Sequence, residues 1–214
     1  MGACSLVGNT KEVSSLLEWH VALRPIAGEI ACGDAYLVKL GKHQVVVGVV
    51  DGLGHGPEAA IAAATAIATI RQYADESLID IVHRCHESLR RTRGVVLSLV
   101  AFSLETESLS WVGVGNVDAL LFRVKENQKS ANEALLVRGG VVGYRMPPLR
   151  VEVLPIIAGD MLVLATDGIR SAFCEKSPLG LSSRMAAENI LRNYARASDD
   201  ALALVVRYRG LAHE

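Results

Sequence analysis

Two almost uninterrupted apolar runs in this 214-residue chain stop at the same dipeptide. Gln44-Val-Val-Val-Gly-Val-Val50 ends at Asp51-Gly52, and Met161-Leu-Val-Leu-Ala165 ends, one threonine later, at Asp167-Gly168. Successive side chains of a strand point to opposite faces, so a strand apolar at consecutive positions is covered on both. Such strands belong inside a layered core, and each leaves it at a carboxylate.

The rest of the pattern is read around these two runs. Strands are expected over 17–26 and 35–40, the second joined to the run 44–50 by a tight turn at Gly41-Lys42. Pro57 suits the first turn of a helix over 57–73, and Leu78, Ile81, Val82, Cys85 and Leu89 mark the apolar face of a second over 77–91. Many alanines in the first permit close approach, and the two helices are expected to be neighbours. Strands over 95–104, 109–114, 119–124 and 134–137 read as an antiparallel meander. A loop follows over 139–150, then the run 161–165, a helix over 183–195 and a strand over 201–206. Runs of strands with grouped helices imply an α+β sandwich of mainly antiparallel sheets, not βαβ units. Residues 1–15, small and polar, read as a flexible leader, and 16–214 as one domain.

Composition excludes several classes. A net charge of −1 leaves no basic stripe for a nucleic acid. No apolar stretch reaches the roughly 20 residues of a membrane span. Cys4, Cys32, Cys85 and Cys174 are scattered without a Cys-x-x-Cys, and no signal peptide opens the chain, which fits the cytoplasm.

Asp34, Asp51, Asp167 and Asp199 each abut an apolar strand, and no lysine or histidine stands where it could neutralise them all. A lone Asp-Gly after a strand is usually just a turn. Two of them after buried strands, together with Gly33-Asp34 and Asp199-Asp200, point to a shared site. Ionised carboxylates gathered in a partly buried site repel unless a cation compensates, and hard oxygen ligands select Mg²⁺ or Mn²⁺. Gly52, lacking a Cβ, lets the backbone approach an ion and offer its carbonyl.

These motifs, Gly33-Asp34, Asp51-Gly-Leu-Gly-His-Gly56, Gly159-Asp160 leading to Thr166-Asp167-Gly168, and Asp199-Asp200, resemble in type and order those of the PP2C-type metal-dependent phosphatases. The resemblance runs from about residue 28 to 206, and within the superfamily it is to the SpoIIE-like bacterial branch. Cys32-Gly-Asp-Ala-Tyr36, Gly143-Tyr-Arg-Met-Pro147 and the short length are similar to feedback phosphatases of the stressosome. The resemblance implies a four-layer αββα sandwich with a metal cleft at one end of its two sheets, and a protein serine/threonine phosphatase acting through a metal-activated water. Asp51 would bridge two Mn²⁺ or Mg²⁺ ions and Gly52 would lend its carbonyl. Asp34 would serve the second ion, and Asp167 and Asp199 the first. It also implies phosphorylated STAS-domain stressosome proteins as partners in a bacterial stress-signalling pathway.

The chain departs from the pattern in places. Asp34-Ala-Tyr-Leu37 lacks the second aspartate often found in relatives, and Leu53 stands where another branch has a proposed proton-donating histidine. His55 is the nearby candidate acid and reads equally as a turn residue. Arg24 could reach phosphate or simply lie on the surface. Asp118 and Asp160 read as turn residues, and Asp200 as a flank to Asp199. Two other functions remain open: a catalytically weak phosphatase-fold binding module, and a phosphatase acting on an anti-sigma-factor antagonist.

Overall fold

The computed structural model describes residues 10–124 and 132–211. Two five-stranded antiparallel sheets lie face to face. One has the order β2 (Asp34–Leu40), β3 (Gln44–Gly52), β4 (Val95–Ser103), β5 (Ser108–Val114) and β8 (Glu152–Pro155). The other runs β1 (Leu17–Arg24), β10 (Ala201–Tyr208), β9 (Met161–Ala165), β6 (Asp118–Phe122) and β7 (Asn132–Ala134).

The apolar runs are continuous because each strand feeds two cores. In β3, Val45, Val47 and Val49 pack between the sheets, while Val46 and Val50 pack under α2 (Pro57–Gln72) and α3 (Leu78–Leu89). In β9, Leu162 and Leu164 face the other sheet, and Met161, Val163 and Ala165 face α4 (Ser183–Tyr194). The result is the expected αββα sandwich. Buried Ala59, Ala62, Ala63 and Ala66 bring α2 close to β2 and β3, and α2 also packs on α3 as expected. Ser77 and Ser182 cap α3 and α4, accepting from Asp80 N and Met185 N at 3.2 Å each.

Several expectations change. A helix, α1 (Thr10–Leu16), takes up the end of the expected leader and buries Val13 and Leu16 in the inter-sheet core; residues 1–9 lie outside the described part. The expected four-strand meander is split, with β4 and β5 in one sheet and β6 and β7 in the other. The chain crosses between sheets at Gly115, where φ is 100°, and buried Ser98 donates to Val117 O at 2.7 Å beside the crossing. β6 stops at Phe122 because Val124 N turns to Asp160 Oδ1 at 2.8 Å. β7 ends at Ala134 because the chain then leaves for the other sheet, where Arg138 bridges Val114. β8, half exposed and closed by Pro155, lacks the apolar run that announces the central strands.

Candidate active site

Strand pairing does the first gathering. Asp34 opens β2 and Asp51 lies near the end of β3, and the register sets them directly opposite each other. By the two-residue period they share the face of Tyr36 and Val38 and of Val45, Val47 and Val49. That face looks into the space between the sheets, so both carboxylates stand at the mouth of the inter-sheet core. From the other sheet, Asp167 follows β9, and Asp199-Asp200 precedes the neighbouring β10. Thr166 joins the halves: its hydroxyl donates to Asp34 Oδ2 at 2.7 Å and accepts from Leu202 N at 3.0 Å.

Both Asp-Gly glycines are set by backbone crowding. A Cβ on Gly52 would strike the Ala59 carbonyl of α2, and one on Gly168 would strike the Asp200 carbonyl. The first reason for Gly52 is therefore contact with a helix, whatever its carbonyl also does. Gly52 N in turn donates to Gly33 O at 3.0 Å. Asp200 is more than a flank: it is buried and accepts from Ile26 N at 2.8 Å and Gly33 N at 2.7 Å, fixing the loop that delivers Asp34.

Placing like charges opposite one another is costly. Burial first, and then the charges of Asp34, Asp167, Asp199 and Asp200, push the Asp51 carboxyl up to about 9. Burial likewise pushes Asp34 up to about 7; the Thr166 hydrogen bond works against this, and Asp200, Asp167 and Asp199 add to it. Burial and then Asp167 raise Asp199 and Asp118 as well. The mutual influence shows that all these side chains share one field. Among the described residues none of Asp34, Asp51, Asp167 and Asp199 pairs with a lysine or arginine.

An all-oxygen, anionic, uncompensated donor set fits a hard divalent cation. No three His, Cys, Asp or Glu side chains among the described residues close into a compact coordination set.

The flanking candidates divide. His55 is 61% exposed at its side chain and meets Glu29 Oε1 through Nδ1 at 3.2 Å, and its presence works against the upward push on the Asp199 carboxyl. Arg24 reaches the same end of the sandwich, where its Nη2 donates to Arg196 O at 2.5 Å. Asp160 follows a turn as expected but is fully buried, paired with Arg123 at 3.0 Å away from the cluster. The reading from sequence missed Thr166 and Asn116, whose Nδ2 donates to Asp167 Oδ2 at 2.8 Å. Thr166 has a signal, a hydroxyl between a buried strand and the Asp-Gly. Asn116 sits in an ordinary turn sequence and has none.

Comparison with known proteins agrees with this geometry. Residues 41–209 match the Stage II sporulation protein E (SpoIIE) family. The chain is 30% identical over 179 residues to the phosphoserine phosphatase RsbX of Bacillus subtilis (strain 168), covering 84% of this chain and 88% of that protein. A solved chain from work on the bacterial stressosome, a modular system adapted to control secondary messenger signaling, superposes with a TM-score of 0.79 at 32% identity. That match covers 89% of this chain and 99% of the other. The crystal structure of RsbX in complex with magnesium gives a TM-score of 0.77 at 21% identity, covering 90% and 96%.

Proposed function

The chain belongs to the SpoIIE family and is a protein phosphatase of the PP2C type, and from that premise we propose that it dephosphorylates serine or threonine on STAS-domain proteins of a stressosome-type assembly. The single observation carrying the site assignment is the gathering of Asp34, Asp51, Asp167 and Asp199 around one uncompensated negative field. Likeness to RsbX and to a stressosome chain supports the choice of partner.

Asp34, Asp51, Asp167, Asp199 and the Gly52 carbonyl would hold Mn²⁺ or Mg²⁺, in two sites on our reading. When bound there, such ions activate a water as nucleophile and neutralise the phosphoryl oxygens. The protein's own part is positional. Thr166 orients the Asp34 carboxylate, Asn116 orients Asp167, and Asp200 locks the loop before Asp34. His55, exposed and electrostatically coupled to Asp199, would on our reading hand a proton to the departing serine oxygen. Its contact with Glu29 leaves Nε2 for that role.

The test pairs two substrates. Hydrolysis of p-nitrophenyl phosphate that appears with Mn²⁺ and vanishes with chelator separates an enzyme from a binding module. Release of phosphate from a serine-phosphorylated STAS-domain protein then tests the partner; no release by an enzyme active on the small substrate would remove that assignment.

A further inference from the structure

Between Arg138 and Arg150 the chain carries three arginines and no acidic residue, within a protein of net charge −1. Arg84, Arg90, Arg123 and Arg184 are each held by a carboxylate. Arg138, Arg145 and Arg150 are exposed and have no such partner among the described residues. Tyr144 is 84% exposed, and Leu136, just ahead of the segment, is 75% exposed. Exposed tyrosine beside free guanidinium groups is the side-chain chemistry that dominates protein interfaces.

The turn bearing Tyr144 is fastened on three sides. Val141 N donates to Arg145 O at 2.8 Å, and Tyr144 N to Val141 O at 3.2 Å. Val142 and Val95 exchange both backbone hydrogen bonds, at 2.8 and 3.0 Å. On the outer side Gly143 N donates to His86 Nδ1 of α3 at 3.0 Å. An aromatic presented on a fixed turn loses little conformational freedom when a partner covers it.

Its position connects it with the carboxylates. Val95, the partner of Val142, stands opposite Gly52 in the sheet. Arg138 O accepts from Gly115 N at 2.8 Å, and the next residue, Asn116, holds Asp167. The segment therefore runs along the same end of the sandwich as the acidic cluster. A phosphoprotein is itself anionic, so an acidic cleft alone would repel it, whereas a cationic rim draws it in and fixes its orientation. We infer that the 138–150 segment, centred on Tyr144 and Arg145, is a docking surface for an acidic face of the phosphoprotein substrate. The inference rests on the phosphatase reading and adds the recognition surface to it.

Steady-state kinetics of the full chain test it, with Tyr144→Ala, Arg145→Glu and Arg145→Lys. The substrates are a serine-phosphorylated STAS-domain protein and p-nitrophenyl phosphate, both with Mn²⁺. Expected are a KM for the phosphoprotein raised by about tenfold in the first two variants, with unchanged kcat, unchanged rates on the small substrate, and near wild-type behaviour in Arg145→Lys. Equal losses on both substrates would make the turn a structural support and overturn the inference. So would unchanged KM values, or a wild-type dimer that Tyr144→Ala dissociates, since the surface would then serve a second copy of the chain. If the wild type turns over the phosphoprotein and the variants keep pace, this inference fails and the phosphatase reading stands. No turnover of the phosphoprotein by a wild type that still hydrolyses p-nitrophenyl phosphate takes down this inference together with the partner assignment and leaves the phosphatase activity standing.

Discussion

The Thr166 hydroxyl donates to Asp34 Oδ2 at 2.7 Å, joining residues 132 positions apart and tying the end of one sheet to the start of the other. This bond favours the charged Asp34 carboxylate, whereas burial and three aspartates act the other way.

Removing that bond should therefore be felt in the metal response. Thr166→Val is expected to raise the Mn²⁺ concentration for half-maximal activity by about 10–100-fold, as losses of groups orienting metal ligands typically do. It also strips Leu202 N of an acceptor, costing about 1–3 kcal/mol of stability. Thr166→Ser should restore both. A metal titration alongside thermal melts checks this, and an unchanged titration would show that Asp34 needs no orienting partner.

Asp51→Asn and Asp167→Asn are expected to abolish metal-dependent turnover and leave the fold intact. For Asp51 a second effect follows, because its charge faces Asp34 directly and is disfavoured by burial and by four other aspartates. In chelator at pH 8, Asp51→Asn should melt at a higher temperature than the wild type. Activity in either variant, or a lower melting temperature for Asp51→Asn in chelator, would contradict the assignment.

The pH dependence has a definite sign. Asp34 and Asp51 hold their protons up to about 7 and about 9 in the folded chain, well above ordinary aspartates. Between the unfolded and folded values the folded form binds more protons, so raising the pH favours unfolding. In chelator the contribution of these groups is most favourable below about pH 4 and is lost as pH climbs through about 7 and about 9. Mn²⁺ binds the deprotonated carboxylates, so its stabilisation should grow over the same window. Melts with and without Mn²⁺ from pH 5.5 to 8.5 measure this; a metal-induced shift that shrinks with rising pH would refute it.

Much of this architecture was legible because the central strands are buried on both faces. The Val and Leu runs of β3 and β9 each supply two cores, and their ends at Asp51 and Asp167 mark where the chain emerges. The β2–β3 hairpin was legible from its tight turn, whereas the pairing of the later strands and the crossing between sheets were not. They depend on which edges meet, and Gly115-Asn116 reads locally like any hairpin turn. In the site, acidic residues at strand ends stood out, whereas the neutral groups orienting them did not. Asp200 was passed over because its work, holding two backbone N–H groups of a distant loop, leaves no trace in local spacing.

Asp200 offers a test of whether the site depends on that loop. Its two oxygens accept from Ile26 N and Gly33 N, and the second hydrogen bond sits one residue before Asp34. Asp200→Ala frees both donors, one of them buried, at about 1–3 kcal/mol each. The loop should loosen and Asp34 with it, so metal affinity should fall while β10, paired along its length with β1 and β9, persists. Asp200→Asn keeps one acceptor oxygen and should fall between. Amide exchange reads the outcome directly: faster exchange at Ile26 and Gly33, with protection retained at Leu204 and Val206, is expected. Uniformly faster exchange would instead make Asp200 a support of the whole fold, and unchanged exchange would make its hydrogen bonds dispensable.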